Sequence, residues 1–448
     1  MSFPKILTAN WGVPDSHHIN VAMSRGAYEI ARAVLGGART PDDVTSEVKK
    51  SGLRGRGGAG FPTGMKWGFL PKGDPRPRYL VINADESEPG TYKDRRIIEN
   101  DPHMLIEGCI LASYAIGAHD CYIYVRGEFW SQQNTLRQAV QEAYNKGFLG
   151  ARCFGTDFRL DVTVHSGAGA YICGEETALL TSLEGERGYP RLKPPFPATH
   201  GLFQCPTVVN NVETIANVPW IVRHGGEAYS KVGKYVVGPD GRPQVDSRGT
   251  RLMCASGAIH KPGVHEIPLG ISLMTYIDEY CGGVKGELKA AIPGGSSCPI
   301  LTADEARSVE MTYESMAKHG TMFGSGGLIV IDQDTSLVWA LHNLLRFYSH
   351  ESCGQCTPCR EGTDWLYKIL GRMLQGKGSE ADLQEILDIA DNMEGRTICA
   401  LAAAATMPTR SYIQKFKSEF VSYFVKGGRP VDRRGRYLRS AAPVAAAR

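Results

Sequence analysis

Four cysteines in the second half of the 448-residue chain have the spacing of metal-cluster ligands. Cys353, Cys356 and Cys359 form a C-x2-C-x2-C run, and Cys399 lies in a separate apolar segment. Three thiolates at this spacing can hold one side of a compact cluster and a fourth can close it, which is typical of a [4Fe-4S] site. Zinc is the nearest alternative, and unligated structural cysteines are the other. The pattern favours a cluster in apolar surroundings and therefore electron transfer.

A glycine-rich segment at residues 53–64 could hold a phosphate group. It reads LRGRGGAGFPTG and contains a formal G-x-G-x-x-G. No apolar strand precedes it and Pro62 follows at once, so the context is not that of a dinucleotide fingerprint. Its glycines would still let the backbone approach a ligand, and Arg54, Arg56 and Lys66 could add positive charge. A mobile glycine loop without a ligand is the alternative.

Three further segments combine glycines, acids and amides. Residues 83–95 read NADESEPGTYKDR and follow a predicted strand, where open α/β sheets bind ligands. Residues 166–177 form a predicted strand, glycine turn and helix start, and residues 209–214 contain paired amides that could bind the edge of a flavin. Solvated turn acids, helix capping and ordinary turn residues are the respective alternatives.

A short segment, RLKPPFP at residues 191–197, could stack a base. Phe196 lies between prolines that stiffen its backbone, and Lys193 supplies a cation. A plain proline-rich turn fits the same letters equally well.

The apolar pattern predicts an α/β protein made of several units. Runs at 79–82, 121–125 and 160–164 read as strands that alternate with helices near 104–117 and 131–147, which indicates a parallel sheet. We predict five regions. They are an N-terminal helical segment with the glycine loop (1–75), an α/β domain (76–240), a small α+β domain (241–335), a helical domain carrying the cysteines (336–427) and a disordered basic tail (428–448). The turn-rich residues 238–243 read as a linker or a loop between domains.

Composition excludes several classes of function. A net charge of +3 and a pI near 8.2 are too mild for a nucleic-acid binder, and the basic tail reads as solvated or partner-contacting. Eight cysteines scattered among apolar neighbours indicate a reduced interior rather than a disulfide framework. No leader pattern and no apolar run of membrane-spanning length is present, so we expect a soluble protein. The pair His17 and His18 reads as surface residues without companion ligands.

Taken together, six segments closely resemble the NADH-binding flavoprotein subunits of respiratory complex I, the NADH:quinone oxidoreductase. They are GRGGAGFPTGMKW, NADESEPGTYKDR, GAYICGEET, LKPPFP, TVVNNVET and ESCGQCTPCREG, in the family's order, and the resemblance covers about residues 10–425. It implies a Rossmann-like domain for FMN and NADH, a small β-grasp-like (SLBB-type) domain, and a four-helix bundle with a [4Fe-4S] cluster. One departure is Ala402-Ala403, where the family often has Gly-Asp, which puts contacts between that loop and the flavin in doubt.

Motif matching then implies a role for individual residues. The positions matched to FMN contacts are Gly55, Arg56, Gly57, Gly58, Lys66, Asn83, Asp85, Glu86, Tyr171, Gly174, Glu175, Asn210, Asn211 and Thr214. Those matched to the NADH adenine and phosphates are Phe61, Phe69, Lys193 and Phe196, and the acids matched near the nicotinamide are Glu88 and Glu176. The cluster ligands would be Cys353, Cys356, Cys359 and Cys399.

The resemblance also implies an activity and partners. NADH would pass a hydride to FMN, and single electrons would then enter the cluster. The expected partners are a thioredoxin-like [2Fe-2S] subunit and a large multi-cluster iron-sulfur subunit, with no nucleic acid and with membrane contact only through the complex. The expected place is the peripheral arm at the cytoplasmic face of the bacterial inner membrane. The alternatives are a diaphorase subunit of an NAD-dependent hydrogenase or formate dehydrogenase, and a cluster-bearing scaffold without catalysis.

Overall fold

A computed structural model of the chain describes residues 3–424 and 429–438. Within these residues the strands form sheets of four, five and two strands. The strands are β1 (Tyr79–Ala84), β2 (Asp120–Val125), β3 (Asp161–Ser166), β4 (Thr207–Asn211), β5 (Gly233–Val237), β6 (Pro243–Arg248), β7 (Thr250–Gly257), β8 (Gly263–Pro268), β9 (Leu288–Ile292), β10 (Leu301–Thr302) and β11 (Gly327–Asp332).

The helices surround these sheets and fill the last part of the chain. They are α1 (Ile19–Ser24), α2 (Glu29–Ala33), α3 (Pro41–Ser51), α4 (Thr63–Trp67), α5 (Asp94–Asn100), α6 (Pro102–Ile116), α7 (Trp130–Asn145), α8 (Glu176–Leu183), α9 (Pro197–His200), α10 (Val212–Ala216), α11 (Val218–His224), α12 (Gly226–Ser230), α13 (Leu273–Thr275), α14 (Ala303–Ser308), α15 (Tyr313–Lys318), α16 (Leu337–Glu351), α17 (Thr357–Leu374), α18 (Glu380–Met393) and α19 (Leu401–Val421). Short 3-10 turns occupy Cys153–Gly155, Tyr171–Gly174 and Leu202–Gln204, and π-helical turns occupy Val34–Ala38 and Tyr276–Tyr280.

The four-stranded sheet is parallel and has the order β3-β2-β1-β4, which confirms the predicted mixed α/β fold with a parallel sheet. Leu80 and Ile82 belong to one hydrophobic core and Val81 to another, so the sheet is covered on both faces. This double cover explains why β1 reads as a continuous apolar run. β4 was not predicted as a strand because its two asparagines interrupt the apolar pattern.

The strand order changes direction beside β1. The chain adds β2 and β3 on one side of β1 and then returns to add β4 on the other. A crevice forms outside the carboxyl ends of strands at such a switch point, and ligands of open α/β sheets bind there. The residues at these ends are Asn83 in β1 and Asn210 and Asn211 in β4.

A second, mixed sheet has the order β10-β9-β11-β7-β8, with α13, α14 and α15 beside it. Preceding it, β5 and β6 pair as an antiparallel hairpin whose turn is Gly238–Arg242. Of the predicted linker or loop at residues 238–243, the structure shows a loop, the turn of this hairpin. The β-branched and aromatic residues Tyr235, Val236 and Val237 favour a strand on one side of this turn.

The cysteine motif lies among the last four helices. α16 packs against α17 and α19, and α18 packs against α17 and α19. Leu341, Leu345, Leu370 and Ile386 are fully buried between them, and each such side chain stabilises the fold by about 1.5–3 kcal/mol. α16 begins at an N-cap in which Ser336 accepts a hydrogen bond from the Trp339 N–H.

Residues 429–438 are folded against the body of the protein, which corrects the prediction of a disordered tail at 428–448. Arg436 forms ion pairs of 3.0 Å with both Asp332 and Asp334. The Tyr437 hydroxyl donates to Glu419 at 2.6 Å. Arg436 thus finds one carboxylate at the end of β11 and one just after it, which a charge count alone could not reveal. The rest of the predicted tail lies outside the described residues.

Among the described residues, no helix combines the length and the hydropathy that crossing a bilayer demands.

Candidate functional site

The crevice beside β1 joins the segments that the sequence marked as ligand-binding. The Asn83 amide donates to the carbonyl of Gly174 at 2.8 Å, which links the end of β1 to the turn after β3. Gly174 has no room for a side chain, because a Cβ there would lie 3.1 Å from an oxygen of Asp85. The loops after β1 and β3 therefore form one wall of the crevice.

The glycine loop forms another wall and is seated on the start of α10. The Arg56 N–H donates to the Thr214 hydroxyl at 2.9 Å, and the Gly55 N–H donates to the Phe61 carbonyl at 2.8 Å to close the loop. A Cβ on Gly57 would lie 3.2 Å from the Asn211 Cβ, so the loop approaches β4 closely. Gly58 has φ of 146°, a conformation that glycine adopts at little cost.

The arginines of this loop have structural contacts, which corrects one prediction. The fully buried Arg56 guanidinium donates to the Tyr313 hydroxyl at 3.0 Å and to the Thr250 carbonyl at 2.9 Å. Arg54 donates to the Gly60 carbonyl at 2.7 Å and pairs with Glu314. Neither guanidinium is available to cradle phosphate, because each ties the loop to the second sheet. Contact between the backbone of the loop and a phosphate stays a prediction.

Asp85 presents an unpaired acceptor inside the crevice. Its side chain is buried, the Ser87 hydroxyl donates to one carboxylate oxygen, and Oδ1 has no hydrogen-bond partner among the described residues. Burial raises the pKa of Asp85 to about 7. A buried acceptor without a partner is costly, so this oxygen fits a ligand that donates a hydrogen bond.

Glu86 and Glu175 both cap helices. The Glu86 carboxylate accepts from the N–H groups of Asp94 and Arg95 at 2.6 and 3.0 Å, at the start of α5. The Glu175 carboxylate accepts from Thr177 and Ala178 N–H at 2.8 and 3.0 Å, at the start of α8. Helix capping, the alternative weighed for Glu175, thus holds for that acid, whereas Glu86 caps a helix instead of lying in a solvated turn. Contact of either acid with a cofactor stays a prediction.

Two lysines and two acids from three separate motifs meet in one charge cluster. Lys66 lies 3.1 Å from Glu176, and Lys193 lies 2.9 Å from Glu175 and 3.5 Å from Glu176. Although burial acts to raise it, the two lysines bring the pKa of Glu176 below its usual value. The cluster brings together the glycine-loop helix, the turn after β3 and the proline-rich segment, each of which the sequence had marked separately for ligand binding.

Exposed aromatic rings border the crevice segments. Phe61, Phe69 and Phe196 are 43%, 54% and 58% exposed, and the rings of Phe61 and Phe69 lie 5.7 Å apart. Large aromatic side chains are costly to leave in water, so these rings suit a planar ligand that would cover them.

Sequence reasoning missed a buried ion cluster beneath the crevice. Lys93 lies 2.7 Å from Asp94 and 2.8 Å from Glu213, and all three side chains are almost fully buried. Asp94 in turn accepts from the Asn211 amide at 2.6 Å. The three charged residues stand within two of the quoted motifs, but only their spatial convergence identifies the cluster. Trp67, also missed, donates to Asn210 at 2.9 Å and fixes the orientation of that amide.

The four predicted cluster ligands meet at the ends of α17 and α19. Cys356 is the N-cap of α17, Cys359 lies in its first turn, and Cys399 comes just before α19. Burial raises the pKa of Cys359 to about 11 and of Cys399 to about 12, and each also lies within electrostatic reach of the Cys353 thiol. Ala402, where the family often has glycine, is fully buried in α19.

The spacing of these thiols bears on which metal they could hold. In the part of the chain that the structure describes, no three cysteine sulfurs lie within 4.8 Å of one another. Four sulfurs at about 2.3 Å from one zinc ion would lie about 3.8 Å apart. The four thiols are thus neighbours at a wider spacing than a preformed zinc site requires, which suits a larger cluster.

A separate groove of about 970 Å³ lies between the second sheet and α16. Its lining includes Ile329, Trp339, Phe347, Arg346 and Arg436, and it contains none of the residues that the sequence predicted for the site. We therefore assign the candidate site by its converging polar groups rather than by cavity volume.

The fold and the site define a class, that of α/β proteins with a glycine-loop crevice at a sheet switch point and a four-cysteine centre beside it. Residues 48–220 match the family model described as the Nuo51 FMN-binding domain, and residues 339–423 match the NADH-ubiquinone oxidoreductase-F iron-sulfur binding region. The chain belongs to the family of NADH-quinone oxidoreductase F subunits.

Individual relatives support this membership. The chain is 50% identical over 407 residues to the NADH-quinone oxidoreductase F subunit of Rickettsia felis, covering 90% of this chain and 93% of the relative. The identity to the protein of the same name from Rickettsia massiliae is also 50%, covering 90% and 94%. A crystal structure of an NAD+-reducing [NiFe]-hydrogenase in the H2-reduced state is similar with a TM-score of 0.80 and 34% identity, covering 94% of this chain and 67% of that one.

Proposed function

We propose that this chain is the electron-input subunit of an NADH:quinone oxidoreductase. It would oxidise NADH by hydride transfer to FMN and pass single electrons to a [4Fe-4S] cluster. The observation that carries the proposal is the neighbourhood of the two candidate centres. Glu175, a member of the crevice charge cluster, lies within electrostatic reach of Cys399 and helps to raise the pKa of that thiol, after the larger effect of burial.

The crevice offers a fitting surface for FMN. The backbone of Gly55, Gly57 and Gly58 can approach a phosphate closely, and Lys66 supplies a cation. The unpaired oxygen of Asp85 suits a hydroxyl or ring N–H donor, and Asn83, Asn210 and Asn211 add amides at the strand ends. The remaining proposed contacts are Tyr171, Gly174, Glu175 and Thr214, with the backbone of Arg56 and Glu86.

The nucleotide would lie over the exposed rings. Phe61, Phe69 and Phe196 would stack on the adenine side of NADH, and Lys193 would pair with a phosphate. Glu88 and Glu176 would orient the nicotinamide end. Both acids are held in place, Glu88 by Tyr171 and Glu176 by Lys66, so they can position a ligand without rearrangement.

When bound, FMN supplies the conversion between hydride transfer and single-electron transfer. The protein groups orient the two reactants and exclude water, and no general acid or base is required. Cys353, Cys356, Cys359 and Cys399 would ligate the cluster, and the apolar residues of α17 and α19 would keep it in surroundings of low dielectric.

The finer architecture and the partners are proposals of the same kind. Residues 76–240 would be a Rossmann-like domain, 241–335 a β-grasp-like domain and 336–427 a four-helix bundle, after an N-terminal helical segment. The protein would bind a thioredoxin-like [2Fe-2S] subunit and a large multi-cluster subunit in a peripheral arm at the cytoplasmic face of the bacterial inner membrane. The relatives are each named as one subunit of a larger enzyme, which supports a multi-subunit assembly.

A second candidate is the diaphorase subunit of a hydrogenase, which the structural similarity to an NAD+-reducing [NiFe]-hydrogenase favours. Purification from native membranes separates the two. The proposal predicts co-purification with membrane-embedded quinone-reducing subunits, whereas co-purification with a nickel-containing subunit would contradict it.

A further inference from the structure

A surface cluster near the start of the chain has the composition of a transition-metal site. Asp15, His17 and His18 each offer one ligand atom, and these three atoms lie within 4.8 Å of one another. Imidazole nitrogen and carboxylate oxygen are donors that Zn²⁺ and related divalent ions accept. The cluster shares no residue with the redox site proposed above. It also corrects the expectation that the two histidines lack a companion ligand.

The turn that carries these residues is fixed at several points. The His18 N–H donates to the Asp15 carbonyl at 2.9 Å, which closes the turn. The buried Ser16 hydroxyl donates to the Asn100 carbonyl at 2.5 Å. The Ile19 N–H donates to Glu142 of α7 at 2.8 Å. A site built on such an anchored turn loses little conformational freedom when an ion binds.

Glu142 of α7 lies beside the cluster and contacts one of its histidines, His18. Its carboxylate lies 3.2 Å from His18 Nδ1 and accepts from Gln138 at 3.1 Å. The Ile19 N–H and the Gln138 amide thus hold this carboxylate against the ring of His18. A carboxylate bonded to a histidine that binds metal fixes the ring and makes it a better ligand.

A buried histidine lies on the other side of Glu142. His103 is fully buried, and its Nε2 lies 3.3 Å from Glu142 without a hydrogen-bond partner among the described residues. In the described part of the chain, no lysine or arginine nitrogen lies within 4.0 Å of the Asp15 or Glu142 carboxylate.

We propose that Asp15, His17 and His18 bind one divalent transition-metal ion, with Zn²⁺ as the best match, and that Glu142 is a positioning residue. The two carboxylates would balance the charge of the ion. The site would fix the end of an N-terminal segment, residues 5–18. The start of this segment contacts Glu266 of β8 through Ile6, Leu7 and Thr8. The ion would thus help to hold the second sheet and the α/β unit together.

The test is zinc binding by the full-length protein with its flavin and cluster loaded. Equilibrium dialysis against Zn²⁺ and a competing chelator should find one more tightly bound ion in the wild type than in the double variant His17→Gln/His18→Gln. Subtracting the zinc content of the double variant from that of the wild type corrects for zinc bound by cysteines. Glu142→Gln should weaken binding by about 10- to 100-fold, as loss of such a supporting carboxylate does elsewhere.

Controls make the outcome specific. His260→Gln, which changes an exposed histidine outside the cluster, should bind zinc as the wild type does. Asp15→Asn is a second variant that tests the site without removing a ring, since asparagine tolerates the φ of 56° at this position. Zn²⁺ should raise the thermal midpoint of the wild type but not of the histidine or Asp15 variants. Equal zinc stoichiometry and affinity in the wild type and these variants would overturn the proposal.

Discussion

The Tyr171 hydroxyl donates a hydrogen bond of 2.8 Å to Glu88, joining the turn after β3 to the acid loop after β1. The other oxygen of Glu88 accepts from the Ser297 N–H of the second-sheet unit at 2.7 Å, and the Tyr171 ring meets Phe347 of α16 edge-on at 5.2 Å. Glu88 and Tyr171 therefore lie where the parallel sheet, the second sheet and the helices that carry the cysteines meet. A change in the charge of Glu88 therefore alters the hydrogen bonds that join these parts of the fold.

Glu88→Gln is expected to retain FMN and to lower kcat/KM for NADH. The substitution removes a charge but keeps the shape of the side chain, and one hydrogen bond to a charged group contributes about 1.5–3 kcal/mol, or at least about tenfold in rate. Flavin absorbance of the purified variant and steady-state kinetics with NADH measure the two effects. Tyr171→Phe is the matched control, which should show a smaller change of the same sign. Loss of flavin with unchanged nucleotide kinetics would contradict the assignment.

Phe196→Ala is expected to raise the KM for NADH. Removal of a ring that stacks on a base costs about 1–3 kcal/mol, which corresponds to about 5- to 150-fold in affinity. Phe203→Ala is the control, because Phe203 is similarly exposed but packs against Tyr79 instead. An unchanged KM in the Phe196 variant, or an equal rise in both variants, would favour the simple proline-turn interpretation.

Lys93→Met is expected to destabilise the protein strongly. It leaves Asp94 buried without its cation and Glu213 with only Arg56, at 4.0 Å, and breaking one partner of a buried ion pair costs about 3–5 kcal/mol. Lys50→Met removes an exposed lysine paired with Glu47 and should cost less than about 1 kcal/mol. Thermal unfolding of the two variants compares these costs. If both midpoints moved by the same amount, the buried cluster would not stabilise the fold as we describe.

Asp85 predicts a pH dependence of stability in the flavin-free protein. Its pKa is raised by burial from 3.8 to about 7, so the folded state binds a proton more tightly than the unfolded state does. Both states hold the proton below pH 3.8, and the penalty for burying the charged form then grows until the pH passes about 7. Stability should therefore fall over this range as pH rises.

Asp85→Asn isolates that effect from the other buried acids. When the thermal midpoints of the flavin-free proteins are compared, the variant should lose stability less steeply than the wild type between pH 3.8 and about 7. Bound FMN should reduce the difference, because a donor to Oδ1 favours the charged carboxylate. Parallel curves for the two flavin-free proteins would show that Asp85 is not titrating in this range.

Local patterns predicted much of the fold. Thr40 followed by Pro41 is typical of a helix start, and α3 begins there, with Thr40 and Asp43 forming a capping box. The strands β1 and β2 were evident from apolar, mostly buried runs, whereas β3, which is exposed at Thr163 and Ser166, was evident from its β-branched residues. The motifs predicted separate ligand contacts for Lys66, Glu176 and Lys193, and only the structure shows that these side chains meet.

What the sequence could not predict depends on contacts between distant segments. Arg56 looks like a phosphate ligand in a glycine loop, yet the carbonyls and hydroxyls that bind it come from residues 173 to 257 positions later. β4 was not predicted as a strand because Asn210 and Asn211 interrupt its apolar pattern. Their side-chain amides are bonded to Trp67 and Asp94, which come from distant segments. Residues 429–438 fold because Asp332 and Asp334 lie where Arg436 can reach them.

The central claim is that NADH reduces a flavin in the crevice and that electrons then enter a cluster ligated by Cys399. The direct measurement is reduction of the Cys399→Ala variant by NADH. Flavin absorbance and low-temperature electron paramagnetic resonance monitor the two centres. Cys281→Ala, which removes a buried cysteine of the second sheet, is the matched control.

We predict that NADH bleaches the flavin band in both variants. In Cys399→Ala, with its helices intact by circular dichroism, the four-iron signal should be absent and onward transfer to the partner chain should stop. The Cys281 variant should retain both the four-iron signal and onward transfer. A fully reducible four-iron cluster with normal onward transfer in Cys399→Ala, or failure of NADH to bleach the flavin in the control, would contradict the account.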